Sequence, residues 1–297
     1  MTQRSKHPPS TTKKKLRASP APASDPPPPI ATISGWEDGV PFTRSVTRLD
    51  RWELQNADTL TVHLGTLDVR LAQDPHSPHL GGYVWVSSFA LCSYFQSLAE
   101  EEEEQQRNGR DGDSDTRDSV RLDASSTWIE LGSGVGLMGI VLAKLGVGRT
   151  IMTDIPELVP RMRANIEANM DSSSAGTVVA EPLVWGDIPS AERLARESPP
   201  DHILAVDCIY SEASARGLVE TMDALAHQGT RVLCMSEVRN QAAQDVFMEE
   251  AKRLFEVVLM PTEAWHGRVA KHIKFDETLN FYMLRKRGRG EILDSLH

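Results

Sequence analysis

Apolar and polar residues alternate with a period of two over residues 60–71, and the alternation is interrupted once. Leucine and valine occupy every second position on both sides of Gly65-Thr66, at Leu60, Val62 and Leu64 and again at Leu67, Val69 and Leu71. Two period-two runs joined by a two-residue loop that begins with glycine are typical of a β-hairpin. The pattern therefore predicts an N-terminal hairpin, and we expect it to pack on the fold that follows.

A different pattern lies over residues 127–146, where a short apolar run passes through three glycines into helical spacing. The glycines are at positions 132, 134 and 136, and the apolar residues that follow share one helical face at Leu137, Ile140, Val141 and Leu145. This order predicts a strand, a tight turn and a helix. Glycines let the chain reverse sharply and bring bare backbone, together with a helix N-terminus, against a ligand. We therefore predict a small-molecule site at this turn.

The spacing of these glycines disfavours two common ligands. A dinucleotide fingerprint, G-x-G-x-x-G, requires glycine at position 137, where this chain has Leu137. A phosphate loop of the Walker type requires Gly-Lys-Ser or Gly-Lys-Thr, which the turn lacks. NAD and nucleoside triphosphates are therefore disfavoured, and a glycine-rich turn without a ligand stays as the plain alternative.

Strands and helices alternate along the chain beyond the turn. After the apolar run that opens the 127–146 stretch, the pattern predicts strands over 149–153, 178–183, 202–206, 231–235, 255–260 and 281–284, and helices over 87–98 and 156–169. This alternation predicts an α/β fold with a doubly wound, mainly parallel sheet of seven strands. Such sheets bind ligands at the carboxyl ends of their strands, where the glycine turn, Asp154, Trp185 and Asp207 fall.

Asp154 ends the second of these strands. A carboxylate at that position can accept hydrogen bonds from both ribose hydroxyls of an adenosyl group, as the acidic residue of dinucleotide-binding folds does. The sequence therefore predicts an adenosyl ligand whose ribose contacts Asp154.

Composition separates one folded domain from polar additions. The chain has 297 residues, which suits a single α/β domain with extra segments. Residues 1–30 form a basic, Pro- and Ser-rich tail that cannot bury a core, and residues 99–126 form an acidic insertion; we expect both to be disordered. Residues 45–287 then hold the domain, and 288–297 form a short C-terminal tail.

Charge and cysteine usage narrow the partners and the compartment. The net charge of −10 argues against nucleic acid as the main substrate, because phosphate binding depends on lysine and arginine.

No apolar run reaches the roughly 18 residues of a membrane span, and no secretory signal is evident. The three cysteines lie far apart, so neither a disulfide framework nor a metal site is predicted. We expect a cytoplasmic protein without membrane or nucleic-acid partners.

Six short motifs coincide with those of one enzyme family. They are Gly-Gly-Tyr-Val-Trp-Val-Ser-Ser at 81–88, Glu-Leu-Gly-Ser-Gly-Val-Gly-Leu-Met-Gly-Ile at 130–140, Thr-Asp at 153–154, Ala-Asn-Ile-Glu-Ala-Asn at 164–169, Leu-Val-Trp-Gly-Asp at 183–187 and Val-Asp-Cys-Ile-Tyr at 206–210. Together they resemble the seven-β-strand, class I protein-lysine methyltransferases of methyltransferase family 16. The resemblance is most specific in the D-x-x-Y motif at 207–210 combined with the Trp-Gly pair after the third strand.

The resemblance implies a Rossmann-like methyltransferase domain over residues 45–287 with S-adenosylmethionine as cofactor. The family's cofactor contacts fall here on Trp85, Gly132, Ser133, Gly134, Asp154, Trp185 and Val206. Val206 departs from the family, which usually has alanine before the aspartate. The catalytic positions fall on Asp207 and Tyr210, which would accept hydrogen bonds from a lysine amine and orient its lone pair. Taken alone, an aspartate at 207 is also typical of a turn or of a helix N-cap.

The motifs are closest to the branch of the family that acts on translation elongation factor 1A and on a valosin-containing AAA ATPase. We therefore interpret the chain as a protein-lysine N-methyltransferase for a cytosolic protein of this kind, and we expect a monomer. Two rival interpretations stay open: a small-molecule methyltransferase on the same fold, since fold does not determine substrate, and a non-catalytic adaptor that retains the fold.

Overall fold

A computed structural model describes residues 28–108, 120–171, 174–274 and 278–288. Its elements in chain order are β1 (Ala31–Glu37), β2 (Val40–Val46), α1 (Arg51–Gln55), β3 (Thr59–Leu64), β4 (Leu67–Ala72), α2 (Val86–Arg107), β5 (Thr127–Leu131), α3 (Leu137–Lys144), β6 (Arg149–Asp154), α4 (Val159–Asn169), β7 (Thr177–Pro182), α5 (Ile188–Glu197), β8 (His202–Val206), α6 (Glu212–Leu225), β9 (Arg231–Glu237), α7 (Gln241–Leu254), β10 (Phe255–Leu259), α8 (Thr262–Val269) and β11 (Leu279–Lys286). The predicted tails at 1–30 and 288–297 and the middle of the insertion predicted over 99–126 lie almost entirely outside the described residues.

The larger sheet confirms the predicted seven-stranded, mainly parallel architecture. Its strand order is β10-β11-β9-β8-β5-β6-β7, and only β11 runs antiparallel to its neighbours. From β5 the chain proceeds to β6 and β7 on one side and returns to β8 and β9 on the other. The order therefore reverses between β5 and β8, which is the place where doubly wound sheets bind ligands. Every residue of β8 is buried, as expected of a central strand covered on both faces.

The predicted N-terminal hairpin is confirmed as β3 and β4, with Leu64 paired to Leu67 around Gly65, whose φ is +57°. It belongs to a four-stranded sheet in the order β2-β1-β3-β4, so the domain begins earlier than the predicted residue 45. Ile30 also contributes to this core and donates a backbone hydrogen bond to Val46 O at 2.8 Å. Nearly all of β2 faces solvent, so it carries no alternating pattern that the sequence could reveal.

Helix α2 is longer than the helix predicted over 87–98 and extends to Arg107. The disordered insertion predicted from residue 99 therefore begins later, because its glutamate run first completes the helix. Glu101 pairs with Arg268 of α8 at 3.0 Å and with Lys271 at 2.9 Å. Glutamate is a good helix former, and the basic partners offset the repulsion within the acid run.

The exposed edge of β4 is covered by two asparagine side chains from α4. The Ala72 N–H donates to Asn165 Oδ1 at 2.8 Å, and Asn165 Nδ2 donates back to Ala72 O at 3.1 Å. Asn169 repeats this exchange with the N–H and carbonyl of Arg70, at 2.8 and 2.6 Å. Since the two asparagines are one helical turn apart and their partners are two strand residues apart, the amides pair with the edge as a neighbouring strand would. Asn165 Nδ2 also reaches Val135 O, in the glycine turn, at 2.8 Å. We call this pair of side chains the asparagine clamp.

Both faces of the seven-stranded sheet are covered by helices and buried apolar side chains. On one face, Phe95 of α2 packs edge-on against Trp128 of β5, with ring centroids 5.5 Å apart. On the other, Phe247 of α7 is fully buried with residues of α5 and α6. Among the helices of the described ranges, none has the length and hydropathy required to cross a bilayer.

Candidate active site

A cavity of about 470 Å³ opens at the carboxyl ends of β5, β6 and β8. That volume falls within the usual range for small-molecule and cofactor sites. The structure brings every predicted site residue to its wall: Trp85, Gly132, Ser133, Gly134, Asp154, Trp185, Val206, Asp207 and Tyr210. Residues from widely separated parts of the sequence therefore meet at the position where the sheet reverses its strand order.

The turn between β5 and α3 requires glycine for two reasons. Gly132, Gly134 and Gly136 have φ values of +69°, +55° and +89°, which side chains rarely adopt. Space is also lacking, because a Cβ on Gly132 would lie 2.7 Å from the Trp185 ring and one on Gly134 would lie 2.9 Å from Gly81 O. The turn is therefore a shallow cradle of bare backbone that the neighbouring segments approach closely.

Asp154 joins this turn to the end of β6. Its Oδ2 accepts a hydrogen bond from the Gly134 N–H at 2.8 Å, and its Oδ1 accepts one from the Ile155 N–H at 2.7 Å. Burial raises the pKa of the Asp154 carboxyl, and these two hydrogen bonds oppose the rise. A carboxylate offers about four acceptor sites, so it retains capacity for a pair of hydroxyls.

Glu130 is a further acid in the cavity wall, and the sequence analysis did not assign it to the site. It is buried in β5, and its side chain accepts a hydrogen bond from the Gly139 N–H of α3 at 3.1 Å. Burial raises the pKa of Glu130 to about 7, which the Ser133 and Gly139 hydrogen bonds oppose. The available signal was an acid inside an otherwise apolar strand.

Two tryptophans and an aliphatic residue form the apolar part of the wall. The Trp85 indole N–H donates to Leu80 O at 2.9 Å, which anchors the ring beside the glycine pair at 81–82. Trp185 lies 6.0 Å from the ring of Tyr210, and the left-handed Gly186 that follows, at φ +89°, turns the chain after it. Val206, buried at the end of β8, completes this surface.

Asp207 follows β8 in a left-handed conformation, with φ +59°, which is uncommon for residues other than glycine. It is not a helix N-cap, because Ser211 caps α6 by accepting the Ser214 N–H at 3.2 Å. The Asp207 side chain is only 4% exposed and forms an ion pair with Arg239. Burial raises the pKa of its carboxyl, and Arg239 opposes that rise. Strained backbone of this kind is concentrated at functional sites.

Arg239 also lines the cavity, although no sequence motif pointed to it, and Glu237 lies behind it. Besides its ion pair with Asp207, Arg239 places its guanidinium carbon 4.3 Å above the Trp85 ring and its Nε 3.4 Å from Glu237 Oε2. Glu237 in turn pairs with Arg51 of α1. The signal in the sequence was a charged pair, Glu-Val-Arg, at the carboxyl end of a buried strand.

The described residues contain no group of three or more His, Cys, Asp or Glu side chains that could hold a metal ion. Cys92, Cys208 and Cys234 are buried free thiols. Burial raises the pKa of Cys92 and Cys208 well above the ordinary value of a thiol, and it raises the pKa of Cys234 to about 12. Burial and a raised pKa both disfavour the reactive thiolate form of these side chains.

Comparison with known proteins gives a consistent result. The lysine methyltransferase family matches residues 65–254. Protein N-lysine methyltransferase METTL21A of Xenopus tropicalis is 31% identical over 73% of this chain and 87% of its own length. Protein-lysine N-methyltransferase EFM6 of Saccharomyces cerevisiae is 26% identical over 75% of this chain and 93% of its own length. EEF1A lysine methyltransferase 3 of Xenopus tropicalis is 26% identical over 68% of this chain and 74% of its own length. Among solved structures, magnesium protoporphyrin IX methyltransferase from Synechocystis, with bound S-adenosylmethionine, is 12% identical over 66% of this chain and 80% of that chain, with a TM-score of 0.38.

Proposed function

The chain belongs to the lysine methyltransferase family, and we propose that it methylates a lysine side chain of translation elongation factor 1A. It is an S-adenosylmethionine-dependent protein-lysine N-methyltransferase, and the choice of substrate protein and the roles of individual residues form the proposal. The observation that carries the residue roles is the buried Asp207 carboxylate, which faces the same cavity as Asp154 and the glycine turn.

The residues of the cavity fit S-adenosylmethionine. The glycine turn borders the cavity with bare backbone, and Asp154 keeps acceptor capacity for two hydroxyls. In this proposal the cofactor is held by Trp85, Gly132, Ser133, Gly134, Asp154, Trp185 and Val206. When bound, the cofactor would supply an electrophilic methyl group on a sulfonium sulfur, and that sulfur would keep the electron pair as the leaving group when a lysine nitrogen accepts the methyl group.

Asp207 and Tyr210 would prepare the lysine for this reaction. A lysine amine has a reference pKa of about 10.4 and is mostly protonated at neutral pH, whereas only its neutral form is nucleophilic. The low exposure of Asp207 places the amine in a poorly solvated environment, which lowers the pKa of a cation, whereas the Asp207 carboxylate raises it; the sulfonium charge of a bound cofactor would oppose the carboxylate. Asp207 and Tyr210 would accept hydrogen bonds from the nitrogen and direct its lone pair toward the methyl carbon. The enzyme's main contribution is then alignment of the reacting atoms.

Surface features outside the matched residues support a protein as substrate. Trp52 on α1 and Trp36 on β1 are 73% and 69% exposed, which is unusual for tryptophan. Tryptophan is enriched at the energetic centres of protein interfaces. Arg51, next to Trp52, pairs with Glu237 at the edge of the cavity, so α1 lies beside the active site. Binding of a small-molecule substrate in the cavity would not require the exposed side chains of Trp36 and Trp52.

Elongation factor 1A is the preferred candidate because one similar protein is named EEF1A lysine methyltransferase 3. The net charge of −10 is also compatible with a basic partner. An AAA ATPase substrate, a cytoplasmic location and a monomeric state stay predictions of the sequence analysis.

Transfer of radiolabelled methyl groups tests the proposal. Purified enzyme is incubated with labelled cofactor and either elongation factor 1A or an extract of cells that lack the enzyme, and the labelled lysine is identified by mass spectrometry. We expect one labelled lysine in elongation factor 1A, and no label when the enzyme carries Asp207→Asn. Label confined to small molecules would support the small-molecule alternative, and label on a different protein would replace the proposed substrate.

A further inference from the structure

Arg239 occupies the part of the cavity that a substrate lysine requires. Its guanidinium pairs with the carboxylate of Asp207 and lies 4.3 Å above the ring of Trp85. A carboxylate and an aromatic face are the two groups that most favour a desolvated cation. On the basis of the proposed lysine methylation, we propose that Arg239 is an internal substitute for the substrate lysine, and that the substrate must displace it from Asp207.

Arg239 is a poor replacement for lysine as a nucleophile. A guanidinium keeps its proton at physiological pH, and its nitrogen electrons are delocalised over the planar group. Its presence instead favours the ionised form of Asp207, because burial raises the pKa of the carboxyl and the paired arginine opposes that rise. Exchange of one cation for another would preserve this compensation.

Glu237 provides a second position for the displaced arginine. Its Oε2 already lies 3.4 Å from Arg239 Nε, so this ion pair can persist when the guanidinium leaves Asp207. Arg239 is 28% exposed, whereas Asp207 is 4% exposed, so the arginine can move toward solvent while the aspartate stays buried. The guanidinium therefore keeps a carboxylate partner when the lysine enters, so its displacement from Asp207 costs little free energy.

This arrangement makes Arg239 a specificity-determining residue. When a site is open for only a fraction of the time, the apparent affinity of every ligand falls by that fraction. An isolated lysine must displace Arg239 with the contacts of one side chain, whereas a docked protein contributes binding energy from a wide surface. Free lysine and unrelated peptides are disfavoured as a result, although their amines are chemically the same.

Binding of a small lysine analogue tests the displacement directly. Nα-acetyl-lysine amide is titrated into full-length protein saturated with S-adenosylhomocysteine, and binding is followed by calorimetry, with Nα-acetyl-norleucine amide as the ligand lacking the ammonium. We expect about tenfold tighter binding of the lysine amide to Arg239→Gln than to wild type, because the competing cation is gone. Arg239→Lys keeps a cation that can still pair with Asp207, so we expect it to bind the ligand with an affinity close to that of wild type and well below that of Arg239→Gln.

Glu237→Gln should have the opposite effect. It removes the second position for Arg239, so lysine-amide binding should weaken by about threefold or more. Arg193→Gln, which changes an exposed arginine paired with Glu197 on α5, is the matched control and should bind as wild type does.

The outcomes that overturn the displacement differ from those that overturn the proposed function. Binding by Arg239→Lys as tight as by Arg239→Gln would show that a competing cation is not what limits lysine binding, and unchanged or weaker binding in Arg239→Gln would show that Arg239 does not compete with lysine. If Arg239→Gln fails to fold, Glu237→Gln decides the question, since stronger or unchanged binding there contradicts the proposal. Failure of wild-type enzyme to methylate any protein would instead remove the proposed substrate class, and the binding series would still report on Arg239.

Discussion

The backbone N–H of Gly134 donates a hydrogen bond to Asp154 Oδ2 over 2.8 Å, so the glycine turn and the acid at the end of β6 form one unit. The same carboxylate also accepts the Ile155 N–H. Asp154 therefore has two functions at once, because it fixes the shape of the turn and retains free acceptor capacity toward the cavity.

Replacement of Asp154 should abolish cofactor binding. Asp154→Ala removes a charged acceptor and leaves two backbone N–H groups without their partner, which should cost roughly 1.5–3 kcal/mol or more of cofactor affinity. Isothermal titration with S-adenosylhomocysteine measures this loss, and Asp245→Asn on the exposed face of α7 serves as the control. Cofactor affinity equal to that of wild type would remove Asp154 from the binding site.

Asp207→Asn should lower turnover far more than cofactor affinity. Asparagine tolerates the left-handed backbone that Asp207 adopts, so the fold should be retained while the negative charge is lost. Cofactor affinity is expected to stay within a few-fold of wild type, and methylation of the protein substrate should nearly disappear. Methylation at the wild-type rate would leave Asp207 with a purely structural role.

The stability of the fold should decrease as pH rises toward 7 because of Glu130. Its pKa is about 7 in the folded state, above the ordinary value of 4.5, so the folded protein binds more protons than the unfolded chain between those values. Ionisation in this range therefore favours unfolding, and the contribution is constant above it. Glu130→Gln still accepts the Gly139 N–H and should flatten the decrease in melting temperature between pH 5 and 8. A pH profile identical to that of wild type would show that Glu130 does not titrate in this range.

Trp52→Ala should weaken recognition of the protein substrate without affecting the cofactor. The side chain is 73% exposed, so its removal costs little folding free energy, whereas an interface would lose a large apolar contact. We expect KM for the protein substrate to rise about tenfold or more, with kcat and cofactor affinity nearly unchanged. The matched control is Leu259→Ala, another exposed apolar residue, on β10. Equal KM values for the two variants would show that α1 does not contact the substrate.

Loss of the asparagine clamp should destabilise the protein, and the two positions should differ. Asn165 is 1% exposed and makes hydrogen bonds to both Ala72 groups and to Val135 O, whereas the bonds of Asn169 to Arg70 are exposed to water. Asn165→Leu should lower the free energy of unfolding by about 2 kcal/mol or more, because it leaves buried backbone groups unpaired. Asn169→Leu is the internal comparison and should cost less in a urea titration. The reverse order would contradict the role of burial.

The glycine turn, Asp154 and Asp207 could be predicted from the sequence because each belongs to a short motif at the end of a periodic strand. Arg239 could not, because its importance arises from an ion pair with a residue 32 positions away in the chain. Such a contact leaves no periodic trace in the sequence, and only the folded sheet brings the ends of β8 and β9 together.

Two differences between the predicted and the observed elements, the end of α2 and the presence of β2, have physical causes of the same kind. The glutamates at the end of α2 were assigned to a disordered insertion, yet Glu101 is stabilised by Arg268, which is 167 residues away. Strand β2 was missed because its side chains face solvent and its pairing with β1 involves the backbone. In both cases tertiary contacts override a local pattern that favours the opposite assignment.

The asparagine clamp links the N-terminal sheet to the cofactor site through a shared donor. Asn165 Nδ2 bonds both Ala72 O at the edge of β4 and Val135 O in the glycine turn, so local opening of either segment releases a partner of the other. We therefore expect the two segments to be protected together in hydrogen exchange, although only the turn borders the cavity. A ligand that rigidifies the turn should then slow exchange of the Ala72 amide as well, so that part of its binding free energy goes into ordering a sheet that it does not contact.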